Sequence, residues 1–326
     1  MQPARTLALV SAVALVASAL ALLAGSTGFG LATSEILWRI RVPRVVAGFG
    51  AGASLAVSGA LMQSLTRNAL ADPYVLGVAG GASVGALLAM LGAGASSWIA
   101  AEWGVALGAA LGAALASAAL FGLMWRRLGD LGTVGEGSSA LLLVGVMIGS
   151  GCTAIVSLIL TLADEGQLRG MVFWLLGDLN GATHGEIAWL ALAISLAIVW
   201  PKARELDWLA RGDAWAATLG VQVAQRRRAV LFAASLATGA AVATAGAIGF
   251  VGLVVPHALR RVGIRAAPLL LPASALAGGA FVVAVDALAR TVVAPLQLPV
   301  GVLAAAIGVP TFVAMLLRRS RAVSRA

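Results

Sequence analysis

Long uncharged stretches divide the sequence, and their lengths are its first structural signal. Nine long runs contain no Asp, Glu, Lys or Arg: 6–34, 45–66, 73–101, 103–125, 137–163, 187–201, 229–259, 266–285 and 291–317. A helix needs roughly 20 apolar residues to cross the hydrocarbon core of a bilayer, and eight of the nine runs reach that length. We therefore predict membrane-spanning helices and count the shorter run 187–201 as one of them.

The residue composition and pattern of these runs favour helices over strands. A transmembrane strand alternates in polarity over about ten residues, whereas these runs are continuously rich in Ala, Leu and Gly. Small residues allow helix backbones to approach closely inside a bilayer, so most of the 40 glycines are interpreted as packing positions. The predicted fold is a single all-α integral membrane domain over residues 1–326.

The run 229–259 is flanked by arginines on both sides, at 226–228 and at 260, 261 and 265. Basic residues favour the cytoplasmic side of a membrane, so both ends of this run are predicted to be cytoplasmic. Its 31 residues reach about 46 Å as a helix, too little for two full crossings and a turn. We expect two shortened helices that turn near 246–250, with Pro256 disrupting the second, and this brings the count of spans to ten.

Ten spans place both termini in the cytoplasm, together with 17 of the 22 basic residues. Nine spans would leave one basic terminus outside, which the positive-inside rule disfavours. The N-terminal run is longer than the apolar part of a cleaved signal peptide, about 7–15 residues, so we predict a first span there. A segment over 28–44, ending in Arg41-Val42-Pro43-Arg44, is expected to lie at the interface before span two.

Composition and charge narrow the function. The sequence is 61% hydrophobic and 11% charged, against about a quarter charged in soluble domains. Its net charge of +9 lies between spans, which indicates topology and not binding of nucleic acid. One cysteine, Cys152, and two histidines cannot build a zinc-type site. Lys202 is the only lysine and follows Trp-Pro, so the chain has no phosphate-binding GxxxxGK[ST] loop, and ATP-driven transport would need a separate ATPase.

The segment 201–228 is the one long polar interruption, and it also carries Leu206, Trp208, Leu209 and Trp215 at helical spacing. Apolar side chains in a water-facing loop need burial, either on the bilayer surface or in the groove of a partner protein. We interpret it as a cytoplasmic loop gripped by another protein.

Three further features of the sequence contain residues that could bind an ion or a ligand. Asp72 before Pro73 is typical of a helix start, with an ion-binding role as the alternative. Asp286 and Arg290 stand four apart, as in an i,i+4 ion pair, with an ion relay as the alternative. The stretch 164–186 mixes aromatic and polar residues at a membrane surface, which indicates either interfacial anchors or a ligand entrance formed by Arg169, Phe173 and Trp174.

A set of short motifs resembles the FecCD family of ABC importer permeases, whose members carry vitamin B12, haem and ferric siderophores. The most specific stretch is GAIGFVGLVVPH at 246–257. The others are RVPR at 41–44, SGALMQ at 58–63, NALADP at 68–73 with LG at 76–77, GD at 212–213 with LG at 219–220, and PVG at 299–301 with Gly308, Pro310 and Phe312. The resemblance runs from about 41 to 318; Ala69 departs from it, because the family has proline there.

This resemblance implies a ten-helix fold like that of the vitamin B12 permease, the type II ABC importer fold, with no enzymatic activity of its own. It implies a homodimer in the bacterial inner membrane with the path at the two-fold axis, a periplasmic substrate-binding protein above, and two ATPase subunits below that hold the ATP and Mg²⁺. The loop 204–220 would dock on the ATPase, through Arg204, Leu209, Arg211, Gly212, Asp213, Leu219 and Gly220.

The resemblance also implies gates, at Ser138 and Ser139 where span five begins and at Gly80 and Gly81 where span three begins. Helix capping and close packing are the structural alternative for both pairs. The substrate would be a bulky metal chelate: haem, a ferric siderophore or cobalamin. His184 by itself does not indicate haem, because a lone surface histidine is usually solvated. The competing functions are an ion-coupled secondary transporter and a passive scaffold.

Overall fold

The computed structural model describes residues 3–25, 28–30, 33–93, 98–125, 136–180, 182 and 184–323. Helices dominate, and two strands of two residues each, β1 (Ala24–Gly25) and β2 (Gly28–Phe29), pair with each other in antiparallel orientation. The helices are α1 Pro3–Leu23, α2 Ser34–Ile36, α3 Val42–Leu65, α4 Val78–Ala93, α5 Trp98–Met124, α6 Glu136–Leu162, α7 Glu165–Leu175, α8 Gly185–Val199, α9 Ala203–Arg211, α10 Asp213–Thr218, α11 Val223–Ala245, α12 Val251–Arg261, α13 Ala267–Thr291 and α14 Val300–Val323.

The described helices confirm an all-helical membrane fold. Seven of them are long and apolar enough to cross a membrane, and the apolar helices over Val78–Gly92 and Val300–Met315 are shorter. The remaining predicted span, the second leg of the hairpin in 229–259, corresponds to α12, whose 11 residues reach only about 16 Å. The predicted cytoplasmic residues Arg126 and Arg127 lie outside the described residues.

The predicted hairpin exists, but its two legs are unequal. The first leg, α11, is a full-length helix of 23 residues that begins at Val223, so Arg226–Arg228 lie inside it and not before it. The chain then leaves the helical conformation over 246–250, where Gly246 and Phe250 have positive φ angles of 66° and 68°. Only the return leg is shortened, so the prediction of two shortened helices was wrong for the first leg.

Pro256 does not break the return leg, contrary to expectation. A proline inside a helix removes one backbone hydrogen bond and frees the carbonyl four residues earlier, here that of Gly252. The side chain of Gln63 on α3 lies against this carbonyl, with Nε2 3.4 Å from the oxygen of Gly252 and 3.1 Å from that of Leu253. A neighbouring helix therefore provides the missing donor, as irregular backbone in a membrane requires.

Glycines set the closest helix contacts. A Cβ at Gly59 of α3 would overlap the carbonyl oxygen of Gly252 on α12, and one at Gly85 of α4 would overlap that of Gly108 on α5. No hydrophobic effect drives helices together in lipid, so such backbone contacts stabilise the bundle through dispersion. The predicted packing role of the small residues is confirmed at these crossings.

The two ends of the bundle differ in charge. Arg67 at the end of α3 and Arg226–Arg228 at the start of α11 define what we call the basic pole. Asp286, near the end of α13, defines the opposite pole, to which Arg44 at the start of α3 is bonded. The end of α1 reaches this Asp286 pole, where Arg290 donates to the carbonyl of Ala24 at 2.9 Å. It follows that α1 begins at the basic pole.

The predicted interfacial segment before span two is instead continuous with it. From Ser34 the chain is helical, passing through one wide π-helical turn over Leu37–Arg41 directly into α3. Trp38 points outward and is exposed, while Arg41 is buried and donates to three carbonyls, of Leu22, Leu23 and Gly30, at 2.7, 3.1 and 3.0 Å. Arg41 thus satisfies the open C-terminal end of α1.

Candidate coupling and translocation sites

The polar segment folds into two short helices, α9 and α10, joined at a single residue. Gly212 has φ 138°, a conformation that favours glycine, and it allows the chain to turn without a loop. Leu206 and Leu209 of α9 and Ala216 of α10 face inward and are buried. The apolar periodicity seen in the sequence is therefore used for packing against the membrane bundle. We call residues 203–220 the coupling segment.

Three acidic side chains attach the coupling segment to three different spans. Asp213 pairs with Arg227 of α11 at 2.7 Å and also with Arg67 beyond the end of α3. Glu205 pairs with Arg226 at 2.7 Å. Asp207 accepts the backbone N–H of Ala267 at 3.0 Å and so caps the start of α13. This segment is therefore connected to α3, α11 and α13 together.

Arg67 and Arg227 both pair with Asp213, and Arg67 does so from a strained backbone conformation. Arg67 is one of two non-glycine residues with positive φ among those described, at 51°, and its Nε donates to the carbonyl of Leu209 at 2.8 Å. Arg227 is almost fully buried, and the Asp213 carboxylate compensates its charge. Neither arginine was among the predicted coupling residues, because their partner is 146 and 14 residues away respectively.

Some of the predicted coupling residues attach the segment to the bundle, and the others are exposed on its outer surface. Leu209 and Asp213 are turned inward, and Gly212 forms the joint. Arg204, Arg211, Leu219 and Gly220 are exposed. Trp215 is exposed as well, and it stands one helical turn before Leu219, with exposed fractions of 51% and 46%. Trp215 was noted in the sequence only as part of a helical pattern, although its i,i+4 spacing to Leu219 indicates a shared face.

The predicted gate positions fall on two helices that contact each other. Gly80 of α4 faces Cys152 of α6, and a Cβ at Gly80 would lie 2.9 Å from the Cβ of Cys152. Gly81 faces α5 instead, where a Cβ would overlap the carbonyl oxygen of Gly112. Both glycines therefore allow close helix packing at these two crossings. Ser139 is exposed near the start of α6, and the side chain of Ser138 lies outside the described part of the chain.

Helix α6 is the least covered of the long spans. Most of its surface is exposed in the single chain, including Leu143, Met147 and Leu158. The same surface carries hydroxyls, and those of Thr153, Ser157 and Thr161 donate to the carbonyl four residues earlier, at 2.8 to 3.0 Å. A mixed polar and apolar face of this kind is suited to a second subunit and a water-accessible path.

The predicted entrance residues lie on α7, the short helix after α6. The guanidinium of Arg169 is 5.7 Å from the ring centre of Phe173, one turn along the same helix. The carbonyl of Trp174 lies against Gly246, so α7 contacts the break between α11 and α12. His184 was expected to be solvated at the surface, and this was wrong. The centre of its ring lies 3.7 Å from that of Trp103, and its side chain is only 14% exposed.

At the Asp286 pole, one carboxylate serves two arginines. The expected i,i+4 pair exists, with Arg290 Nη2 3.0 Å from Asp286. The sequence did not reveal Arg44, whose Nη2 lies 2.9 Å from the same carboxylate and whose Nη1 donates to Gln297 at 3.0 Å. Asp286 is fully engaged and buried, which leaves it no vacant site for a carried ion.

Asp72 caps a 3-10 helix, Pro73–Leu76, as its position before proline predicts, and its Oδ1 accepts from the N–H of Tyr74 at 2.8 Å. Burial raises the pKa of this carboxyl to about 6, against the lowering effect of that hydrogen bond. Burial also raises the pKa of Asp207, partly offset by its bond to Ala267. The turn carries α4 into the protein, where Gly77 (φ 76°) packs against Gly145 and Gly149 of α6.

Comparison with known proteins agrees with this arrangement. The sequence matches the FecCD transport family over residues 6–318, so the similarity begins earlier than the motifs had indicated. It is 36% identical over 288 residues to the vitamin B12 import system permease protein BtuC of Shigella sonnei, covering 87% of this chain and 84% of that protein. The BtuC of Escherichia coli strain K12 matches with the same identity and coverage.

A solved structure, described as an inward-facing conformation of a metal-chelate type ABC transporter, shares the fold. Its TM-score is 0.80 at 26% identity, and the match covers 97% of this chain and 99% of that one. The helical bundle, the attached polar helices and these matches define a multi-pass inner-membrane permease of the ABC importer class. The chain belongs to the FecCD transport family.

Proposed function

We propose that this chain is the transmembrane subunit of an ATP-driven importer that moves a bulky metal chelate into the cytoplasm, with cobalamin as the first candidate. The proposal of cobalamin is supported by the vitamin B12 import permeases at 36% identity. Haem and ferric siderophores are the competing substrates. The chain supplies the path and performs no covalent chemistry.

The observation that carries the proposal is the construction of the coupling segment. Its inner side is bonded to three spans through Asp213, Glu205 and Asp207, while Trp215 and Leu219 remain on the outer side. An exposed tryptophan and leucine on adjacent turns, with exposed Arg204 and Arg211 on the preceding helix, suit a groove on a partner protein. In this interpretation the partner is the ATPase, present as two copies with their own ATP and Mg²⁺.

The attachments determine how movement of the ATPase would reach the path. A push on Trp215 and Leu219 is transmitted as a rigid-body displacement, because α9 and α10 are held by buried or half-buried ion pairs. Those ion pairs, together with the hydrogen bond from Ala267 to Asp207, connect to α3, α11 and α13, which form the packed centre of the bundle. The loosely covered α6 would then change its position relative to a second copy, opening the path alternately to each side.

The same scheme assigns the remaining partners and the orientation. The basic pole faces the cytoplasm, in agreement with the positive-inside rule, so that α1 begins there and α14 ends there. A periplasmic binding protein would deliver the chelate near Arg169, Phe173 and Trp174. Ser138, Ser139, Gly80 and Gly81 remain the proposed gate positions; Gly80 faces α6, on which both serines stand, whereas Gly81 faces α5.

An ion-coupled transporter is less well supported. Such proteins keep an ionisable group available near the substrate path. Here the carboxylate of Asp286 is bonded to Arg44 and Arg290 at 2.9 and 3.0 Å, an arrangement that holds helices together.

The experiment is uptake into proteoliposomes that contain the chain, its ATPase and a binding protein loaded with cobalamin, haem or a ferric siderophore in turn. We expect ATP-dependent uptake of one chelate, cobalamin first. Uptake driven by an ion gradient without the ATPase would contradict the proposed class. ATP-dependent uptake of haem or a siderophore alone would retain the class and replace the substrate.

A further inference from the structure

An apolar groove of about 920 Å³ opens on the outer surface of the bundle between α5, α8 and α11. Its lining is almost wholly aliphatic and aromatic, and representative residues are Ala114, Ala118, Phe121, Leu190, Ile194 and Phe232. Phe121 and Phe232 meet edge to face at 6.5 Å across the groove. The groove lies on the lipid-facing side of three membrane-spanning helices.

The groove follows the membrane normal for most of its length. Its lining on α5 extends from Ala110 to Trp125, and on α11 from Gln225 to Ala240. Fifteen residues of helix span about 22 Å, which exceeds the roughly 15 Å of hydrocarbon in one leaflet. The groove is therefore long enough to hold an extended acyl chain that enters from the basic pole.

The mouth of the groove at the basic pole is cationic. Arg228 lies over the ring of Trp125, with Cζ 4.1 Å from the ring centre, and its Nη2 donates to the Trp125 carbonyl at 3.1 Å. Its Nε has no hydrogen-bond partner among the described residues, although it is shielded from water. A buried guanidinium N–H without an acceptor is costly, and Arg228 has no carboxylate partner among the described residues, so an anion at the mouth would compensate the charge of its guanidinium.

A second, polar pocket of about 350 Å³ adjoins the mouth. It is lined by Lys202, Glu205, Gly220, Gln222, Gln225 and Arg226, and Gln225 also lines the apolar groove. Glu205 is paired with Arg226 at 2.7 Å, so the charge of Lys202 remains uncompensated within the pocket. An apolar groove that ends at a guanidinium and a cationic polar pocket has the charge pattern of an anionic amphiphile.

We propose that this groove binds one anionic phospholipid, with an acyl chain along α5 and α11 and the phosphate at Arg228. The remaining headgroup would occupy the pocket beside Gln225 and Lys202. Basic pockets between spans on the cytoplasmic side are suited to anionic headgroups. Because Lys202 directly precedes the coupling segment and Glu205 lies within it, the lipid would also contact the part of the chain proposed to receive the ATPase.

A second copy of this chain is the main competing occupant. The surface of α6 supplies a separate, extensively exposed face. Part of α14 also exposes apolar side chains, namely Val302, Val309 and Val313. These helices do not line the groove among the residues described. A dimer formed through α6 and α14 leaves the groove between α5, α8 and α11 to lipid.

The test is native mass spectrometry of the full chain in detergent with equal amounts of phosphatidylglycerol and phosphatidylcholine. We expect one phosphatidylglycerol per chain to be retained, in at least tenfold preference. Arg228→Gln should reduce its retention about tenfold. Arg261→Gln, an exposed arginine at the same pole, is the matched control and should retain the lipid. Equal retention of both lipids by the unmodified chain would overturn the anionic headgroup assignment.

A second variant tests the groove itself and does not depend on Arg228. Ala118→Trp adds an indole to an exposed position in the groove, whereas Ala119→Trp adds it to an exposed position outside. Loss of lipid in the first and retention in the second supports the proposal. Lipid retained equally in both, in chains that elute as folded protein, overturns it. A change in the number of copies per particle caused only by Ala118→Trp would assign the groove to a second copy instead.

Discussion

Asp286 of α13 accepts hydrogen bonds from Arg44, which lies 242 residues earlier at the start of α3, at 3.0 Å from Nε and 2.9 Å from Nη2. Both side chains are almost completely buried, with exposed fractions of 2% and 7%. Arg290 completes the cluster from the same helix as Asp286. Three charges within a membrane bundle are tolerated because each faces an opposite charge, and the two arginines also donate to carbonyl or amide oxygens.

Removing the carboxylate should therefore destabilise the bundle. Asp286→Ala leaves two buried guanidiniums unpaired, and we expect a loss of about 3 kcal/mol, in the range measured for broken buried pairs. The double variant Asp286→Leu with Arg44→Leu should recover part of that loss, because Arg290 keeps its bonds to the carbonyls of α1. Thermal unfolding in detergent measures both.

The exposed pair Glu35–Arg39 provides the control for this prediction, since its side chains are 72% and 79% exposed. Glu35→Gln should change stability by less than about 1 kcal/mol, as is usual for surface pairs. An Asp286→Ala variant as stable as Glu35→Gln would show that the buried cluster does not stabilise the fold.

The outer face of the coupling segment should determine binding of the ATPase. Trp215→Glu together with Leu219→Ser changes exposed side chains and leaves the ion pairs of Asp213 and Glu205 in place. We expect normal folding and at least a tenfold loss of ATPase co-purification. Trp38→Glu, at an exposed tryptophan on the opposite side of the membrane, should bind the ATPase as well as the unmodified chain does.

The inner face should determine transmission and not binding. Asp213→Asn weakens the attachments to Arg67 and Arg227, while Trp215 and Leu219 remain exposed. We expect the ATPase to bind and hydrolyse ATP with little stimulation by the loaded binding protein, and uptake to fall at least tenfold. Unchanged uptake would show that these two ion pairs are not needed for coupling.

The crossing of α3 and α12 should tolerate no side chain at Gly59. A methyl group there would overlap the Gly252 carbonyl, which is backbone and cannot move aside. Gly59→Ala should separate the two helices, disturb the bonds from Gln63 and lower the melting temperature clearly. Gly122→Ala, where nothing lies within 4 Å of the added carbon, is the matched control and should be neutral.

The half-buried carboxyl of Asp72 should make stability depend on pH. Its pKa is raised from 3.8 to about 6, so the folded state binds the proton more tightly than the unfolded state does. The free energy of unfolding should therefore fall as pH rises from about 4 to 6, by roughly 1–3 kcal/mol, and then level off. Asp72→Asn retains an acceptor for the Tyr74 N–H and removes this dependence. Parallel pH profiles of both proteins by thermal unfolding would contradict the assignment.

Much of the architecture is local and could be predicted. The cost of placing charge in hydrocarbon acts residue by residue, so uncharged runs indicate where helices cross and arginines indicate their sidedness. The hairpin turn near 246–250 and the close packing of glycines were recognised in this way. The unequal lengths of the two legs were not predicted. The first helix begins before the basic residues 226–228, and an acidic partner such as Asp213 compensates the charge of Arg227.

The sequence by itself determined the membrane class, the spans and the existence of a polar segment with an apolar face. Only the tertiary structure decided which charges meet: Asp286 with Arg44, and Asp213 with Arg67 and Arg227. It also decided that Pro256 is accommodated by Gln63 and that a lipid-facing groove ends at Arg228. Hydropathy depends on each residue and its near neighbours, whereas ion pairs and grooves depend on helices that are distant in sequence and are brought together only by packing.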